Sequence, residues 1–385
     1  MLQFDLFDWL GNLDIIGWLR GIPEWIYGVI MWIHSLIVGV FNWVWGVFVW
    51  GWALVLDNSF LLFKAILFPG IVFILFLIIF DVWFTRKVWA RIQARRGPFH
   101  IGKYGGLQLF ADAIKLVSKE SIIPQGAKRW MFRVLPSLLL VVVLLPFVFV
   151  PWSESWVIAD LSVGLVLVFA FLTAVPVLAL LIGWVSGSKY TLIGGFRAAS
   201  NQFAAEIPLV ISSVGPALLA GSLSVLSISQ AQAQVWYVFL LPINFVTFMV
   251  SAIATVGLVP FDAPVADSEV IFGWRTELTG IYFTMTYFAE FAKQVLYAAL
   301  MVTFFFGGGY GVPTFPPVLN FFLKFLVMLF FFIIVTSSFY RIRQDQIVKY
   351  SWKYLMPLSV INVVVVLLAL VYVPGLAGLL SLQGG

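Results

Sequence analysis

Cysteine is absent from the chain, and histidine occurs only twice, as His34 and His100. A disulfide framework, a thiolate-held iron–sulfur cluster and a cysteine zinc site are therefore excluded within it. His34 sits in a Trp-rich apolar run and His100 in a basic loop, so a metal or haem site built by this chain alone is not expected. Charge is scarce too: Asp, Glu, Lys and Arg make up 10% of the 385 residues, against 62% hydrophobic ones. With a mean hydropathy of +1.06, the polar residues are too few to cover a soluble domain. Period-two alternation is lacking, which argues against an outer-membrane barrel. The opening MLQFDLFDWLGNLD is acidic and has no basic start, so no cleavable signal peptide is expected.

Long apolar runs dominate what is there. They cover 25–56, 60–84, 134–152, 158–185, 207–229, 235–257, 280–306, 318–340 and 355–380. Several exceed the roughly 18–20 residues that cross a bilayer as a helix. The first is uncharged and holds Trp25, Trp32, Trp43, Trp45, Trp50 and Trp52. Tryptophan favours the membrane interface, and this run reads either as one tilted helix or as a helix with an interfacial portion. The expected fold is all-α and polytopic. It has eight core transmembrane helices, one extra hydrophobic helix before them, and an amphipathic helix on the cytoplasmic side.

Loop charges give the orientation. Residues 85–133 hold half of the 22 Lys+Arg, against only Asp112 and Glu120, which marks this loop as cytoplasmic. Alternation then puts 186–206, 258–279 and 341–354 inside. The outer loops near 153–157, 230–234 and 307–317 contain no Lys or Arg. In the basic loop, GLQLFADAIKLVSKE (106–120) repeats Leu107, Phe110, Ile114 and Val117 at helical spacing, with Gln108, Asp112, Lys115 and Lys119 on another face. Its rise of about 21 Å is too short to span, so it reads as an interfacial helix. The basic loop is an orientation signal, not a nucleic-acid site, and GKYGG (102–106) and GGGYG (307–311) are turn glycines without phosphate-loop spacing.

Carboxylates within apolar runs are costly and point to transport or proton transfer. Glu206 opens AAEIPLVISS, either as such a group or as a solvated acid at a helix end. Glu290 lies in YFAEFAKQVL three residues before Lys293. That spacing allows the two to pair, for proton transfer or for packing alone. Asp81 and Lys64, near segment ends, are expected to snorkel to the interface. The loop GLVPFDAPVADSEVIFGWRTELTG (257–280) gathers Asp262, Asp267, Glu269 and Glu277 around Arg275, against the positive-inside trend. Pro260 and Pro264 bar a regular helix through its start. Its interleaved Phe261, Val265, Val270, Ile271, Phe272 and Trp274 predict a loop that packs against something.

Five stretches together resemble one family. RKVWARIQARRGPFHIGKYGGLQLFADAIKLVSKE (86–120), KYTLIGGFRAASNQFAAEIPL (189–209), PFDAPVADSEVIFGWRTELTG (260–280), YFAEF (287–291) and RIRQDQIVKYSWKYLMPLSVIN (341–362) resemble the H subunit of respiratory complex I. Its relatives occur in deazaflavin-linked dehydrogenases and membrane-bound hydrogenases. The resemblance divides the chain into an N-terminal extension, 1–58, and a membrane domain similar to that family, 59–385. It implies a membrane heel that borders a quinone chamber in a prokaryotic cytoplasmic membrane. Electrons would come from iron–sulfur clusters in soluble redox-arm partners, and antiporter-like and small membrane subunits would adjoin it. The chain itself would bind no cofactor, quinone being the substrate.

Carried over by position, Glu206, Glu290, Lys293 and Arg197 are the implied proton-transfer and coupling residues. Asp262, Asp267, Glu269, Arg275 and Glu277 form the chamber loop, and Asp112, Lys115, Lys119 and Glu120 belong to the amphipathic-helix motif. The sequence also departs from the family pattern. ATVGLVPFD lacks the leading Glu and the Asn-Arg, Thr85 stands where a Glu precedes Arg86-Lys87, and 161–185 holds no ionisable residue. A heel of a hydrogenase or ferredoxin-linked complex without quinone, and a passive anchor for a redox arm, are the competing readings.

Overall fold

The computed structural model describes residues 59–265, 271–310 and 316–372. The chain divides into two compact units, Met1–Leu62 and Phe63–Gly385, and the second holds all the helices named here. The extension 1–58, with the extra helix expected in it, lies outside the described residues, as do Asp267 and Glu269.

Among the described residues there is no strand. The principal helices are α1 (Ile71–Ile92), α2 (Gln108–Ser118), α3 (Arg129–Leu144), α4 (Gly164–Leu172), α5 (Ala174–Val185), α6 (Lys189–Ala220), α7 (Pro242–Val256), α8 (Gly280–Phe305), α9 (Pro317–Ser338), α10 (Gln344–Tyr350) and α11 (Met356–Tyr372). Among the described residues, seven stretches are long and apolar enough to cross a membrane: Phe63–Ile92, Arg129–Phe149, Gly164–Val185, Lys189–Ala220, Gly280–Phe305, Pro317–Ser338 and Gln344–Tyr372. Helix α7 is apolar but shorter. A helical piece, Tyr237–Leu240, precedes it, and Pro242 holds the intervening Leu241 out of the helical region, at φ −125° and ψ 53°.

Two expected cytoplasmic loops prove to be largely helical. Helix α6 begins at Lys189 and runs for 32 residues, about 48 Å. Its polar start hides it from a hydropathy reading, yet Gly194, Gly195, Ala198 and Ala199 are buried there because small side chains admit close neighbours. A Cβ on Gly194 would lie 2.5–2.7 Å from backbone atoms of Gly273 and Trp274. The turn at Gly273–Trp274 is thus seated directly on α6. Likewise α10 and the π-turn Ser351–Leu355 continue into α11, burying Ile347 and Ser351 on one side.

Helix α8 forms the centre. Every residue from Ala292 to Phe305 is buried, with α1, α2, α3, α7 and α9 packed around it. Phe248 and Phe245 of α7 meet Phe304 and Phe305 edge to face at 5.5–5.8 Å. On the outer side, Lys324 of α9 donates to the carbonyls of Phe306, Gly308 and Tyr310 at 2.7, 2.9 and 2.5 Å. Among the described residues the Phe306 and Gly308 carbonyls have no other side-chain donor, while that of Tyr310 also accepts from Asn320 at 3.4 Å. Helix α2 turns Leu107, Phe110, Ile114 and Val117 outward, as an interfacial helix requires.

Candidate functional site

Helix α8 carries Tyr287, Glu290, Lys293, Gln294 and Tyr297 within about a third of its circumference. Lys293, 3% exposed, donates its Nζ to the carbonyl of Thr255 at 3.3 Å, near the end of α7. It is also within electrostatic reach of Glu206. Glu206 is 4% exposed, and neither carboxylate oxygen has a hydrogen-bond partner among the described residues. One turn earlier on α6, the Gln202 Oε1 and the Asn201 side-chain amide are buried without partners among the described residues. The Tyr297 hydroxyl is buried too and senses the charge of Glu206. A charged group buried in a membrane helix costs about 3 kcal/mol, so these groups form a polar seam held against the hydrophobic trend.

This geometry corrects one reading and decides another. Glu206 is not a helix-end acid, because α6 starts about 26 Å before it. Glu290 and Lys293 share a helix face but do not pair. Glu290 instead forms an ion pair with Arg275, which the loop's return beneath α8 brings within reach, while Lys293 turns towards α6 and α7.

Arg275 lies in the 3₁₀ turn Gly273–Arg275 and is 3% exposed. Its guanidinium sits 4.6 Å from the Trp274 ring centre. Burial pushes its pKa down from the ordinary arginine range to about 9, against the opposing pull of Asp262 and Tyr287. Asp262 accepts from Arg341 at 2.6 Å, and the Ile342 amide donates to the Pro260 carbonyl at 2.9 Å. The described ends of the acidic loop therefore pack on the membrane helices and the α9–α10 connection. Glu277 is half-buried in the same loop, and Arg197 is half-buried on α6, about 14 Å before Glu206 along the axis.

Of the amphipathic-helix residues, only Asp112 turns inward. It accepts from Arg86 at 2.6 Å and from Gln108 at 3.2 Å. Burial alone would raise its carboxyl, but these two bonds together with the charges of Arg86 and Lys115 outweigh that and hold it below the ordinary value. Lys115, Lys119 and Glu120 are exposed. Thr279 Oγ1 accepts from the Ile122 amide at 3.0 Å and ties the segment after α2 to the start of α8.

A cavity of about 700 Å³ opens where α1, α2 and α8 meet. Thr85, Arg86, Trp89, His100, Gln108 and Tyr287 are among the residues that line it. Of the described residues of the sequence-derived loop, Asp262, Arg275 and Glu277 do not border it. Arg86, Arg95 and Arg96 make its wall cationic.

Asp81, expected at the interface, is instead 0% exposed. Gln294 and Thr85 both donate to its Oδ1 at 3.3 Å. It lies about 16 Å inside the end of α1, too deep for a short side chain to snorkel. Asp81, Thr85, Tyr287 and Gln294 escape a reading of the sequence as site residues. A lone carboxylate within IVFILFLIIFDVWF is the available signal.

Comparison with known proteins agrees with this architecture. The NADH dehydrogenase family profile matches residues 64–367. Similar relatives include the NADH-quinone oxidoreductase H subunit of Dehalococcoides mccartyi, 36% identical over 76% of this chain and 82% of its own length. The H subunit of Geobacillus kaustophilus is 36% identical over 76% and 89%, and the second H subunit of Syntrophobacter fumaroxidans is 36% identical over 74% and 88%. The chain thus belongs to the NADH dehydrogenase family, that of the complex I H subunit.

Proposed function

We propose that this chain is the membrane heel of a complex I-type oxidoreductase in a prokaryotic plasma membrane, where it houses a quinone and couples its reduction to proton movement. One observation carries the reading. A cationic cavity bounded by α1, α2 and α8 adjoins a helix, α8, that also bears the ionisable seam Glu290–Lys293–Tyr297.

Electrons arrive from an iron–sulfur partner, because this chain offers no thiolate to hold a cluster. As a bound quinone gains electrons, negative charge grows on its oxygens. Arg86, Arg95 and Arg96 stabilise that charge. In the low-dielectric interior the same charge biases the protonation of Glu206 and Lys293, and adjoining antiporter-like subunits take up the shift. A passive anchor gives no physical reason for burying those groups. The relatives' names favour quinone over a hydrogen-linked carrier.

Photoaffinity labelling of the intact complex with an azidoquinone tests this. Label is expected on residues 85–108 and 287–291, displaced by excess quinone. Displaceable label found only on other chains would reject the reading.

A further inference from the structure

Asp81 joins the cavity to the interior of the bundle. Thr85, one turn further along α1, lines the cavity wall and bonds Asp81 at 3.3 Å. Gln294 reaches the same oxygen from α8, while Asp81 Oδ2 is buried without a partner among the described residues. The ionisable groups on the helices packed around α1 are engaged elsewhere. Asp112 and Tyr287 face Arg86, with Lys115 beside Asp112. Glu290 pairs with Arg275, Lys293 with the Thr255 carbonyl and Lys324 with three outer carbonyls. Tyr297 senses Glu206, and Tyr282 stacks edge to face on Phe132. An asparagine would accept both bonds through its own Oδ1 without charge, so what the carboxyl adds is an exchangeable proton.

We propose that Asp81 is a buried proton store for the cavity, exchanging its proton with the bound carrier through the Thr85 hydroxyl. The inference rests on the quinone reading above. In the transfer, the Thr85 O–H breaks as its proton passes to an oxygen of the reduced quinone, and the Asp81 proton replaces it. One proton moves to the carrier, and Asp81 remains as a carboxylate that accepts from both Thr85 and Gln294. Two electrons from the iron–sulfur partner and a second proton complete the quinol. After the quinol leaves, a proton entering by the same hydroxyl restores Asp81.

The test uses the intact complex in liposomes with a short-chain quinone, recording rate, pH profile and assembly. Asp81→Asn is expected to slow quinone reduction about 100-fold, the scale of a lost proton-transfer group. Asp81→Glu should retain most activity with a displaced pH profile. Thr85→Val, which keeps the carboxyl but removes the hydroxyl, should be as slow as Asp81→Asn, and decides the matter alone if the latter fails to assemble. Assembled Asp81→Asn or Thr85→Val complexes with unaltered rate and pH profile overturn the inference, as does Asp81→Glu as slow as Asp81→Asn. A wild-type complex inert toward quinone overturns the functional reading and this inference with it. An active wild type with an indifferent Asp81→Asn overturns this inference alone.

Discussion

Replacing Glu290 by glutamine removes the anion from the ion pair that holds the 258–279 loop beneath α8. Among the described residues, Arg275, 3% exposed, would keep its charge with Asp262, Tyr287 and the Trp274 ring as its favourable neighbours. Breaking a buried pair from one side costs about 3–5 kcal/mol. Glu290 is itself 29% exposed and Asp262 remains, so the lower figure applies. We predict a loss of about 3 kcal/mol in the local stability of the turn. The Leu278 amide, which donates to the Arg275 carbonyl at 2.9 Å, reports it directly. At about 1.4 kcal/mol per factor of ten, its hydrogen exchange in nanodiscs should accelerate about 150-fold. Adding Arg275→Met removes the orphaned cation and should restore protection to within roughly tenfold. Exchange in Glu290→Gln within threefold of wild type, or a double variant as exposed as the single one, would refute the reasoning.

Lys324→Met leaves three carbonyls without their shared donor and should lower stability by about 2 kcal/mol, read by thermal unfolding in detergent. Gly194→Ala forces α6 away from the 273–274 backbone and should cost about 2–3 kcal/mol, seen as faster proteolysis of the 258–279 loop. Asp112 is held below its ordinary value of 3.8, so its bond to Arg86 contributes fully above that value. The contribution is lost as the pH falls through the depressed one. Protection of the α2 amides, measured as exchange relative to the intrinsic rate at each pH, should therefore fall on acidification, and Asp112→Asn should show that lower protection already at neutral pH, with no acid step.

Hydropathy and charge make the helical membrane fold legible, because apolar length and loop Lys/Arg act through the bilayer itself. Helix starts are less legible. The first turns of α6 are polar, and what keeps them helical is the close approach of Gly194 to another segment, which no local pattern encodes. Glu206 and Arg275 are visible as charges in the wrong place, but their partners are not. Lys293 and Glu290 have helical spacing for a pair, yet tertiary packing gives Glu290 to Arg275 and turns Lys293 towards Glu206. Asp81 is misread from sequence because proximity to a segment end is not access to water. Its donor, Gln294, lies 213 positions away.

The central claim is that Glu206, buried within electrostatic reach of Lys293, links carrier reduction to proton movement. Proteoliposomes of the complex carrying Glu206→Gln, assayed together for quinol formed and protons moved per quinol, test it most directly. Quinol formation that continues while proton yield per quinol falls to a small fraction of wild type is the predicted result. A variant with wild-type rate and wild-type proton yield would contradict the account.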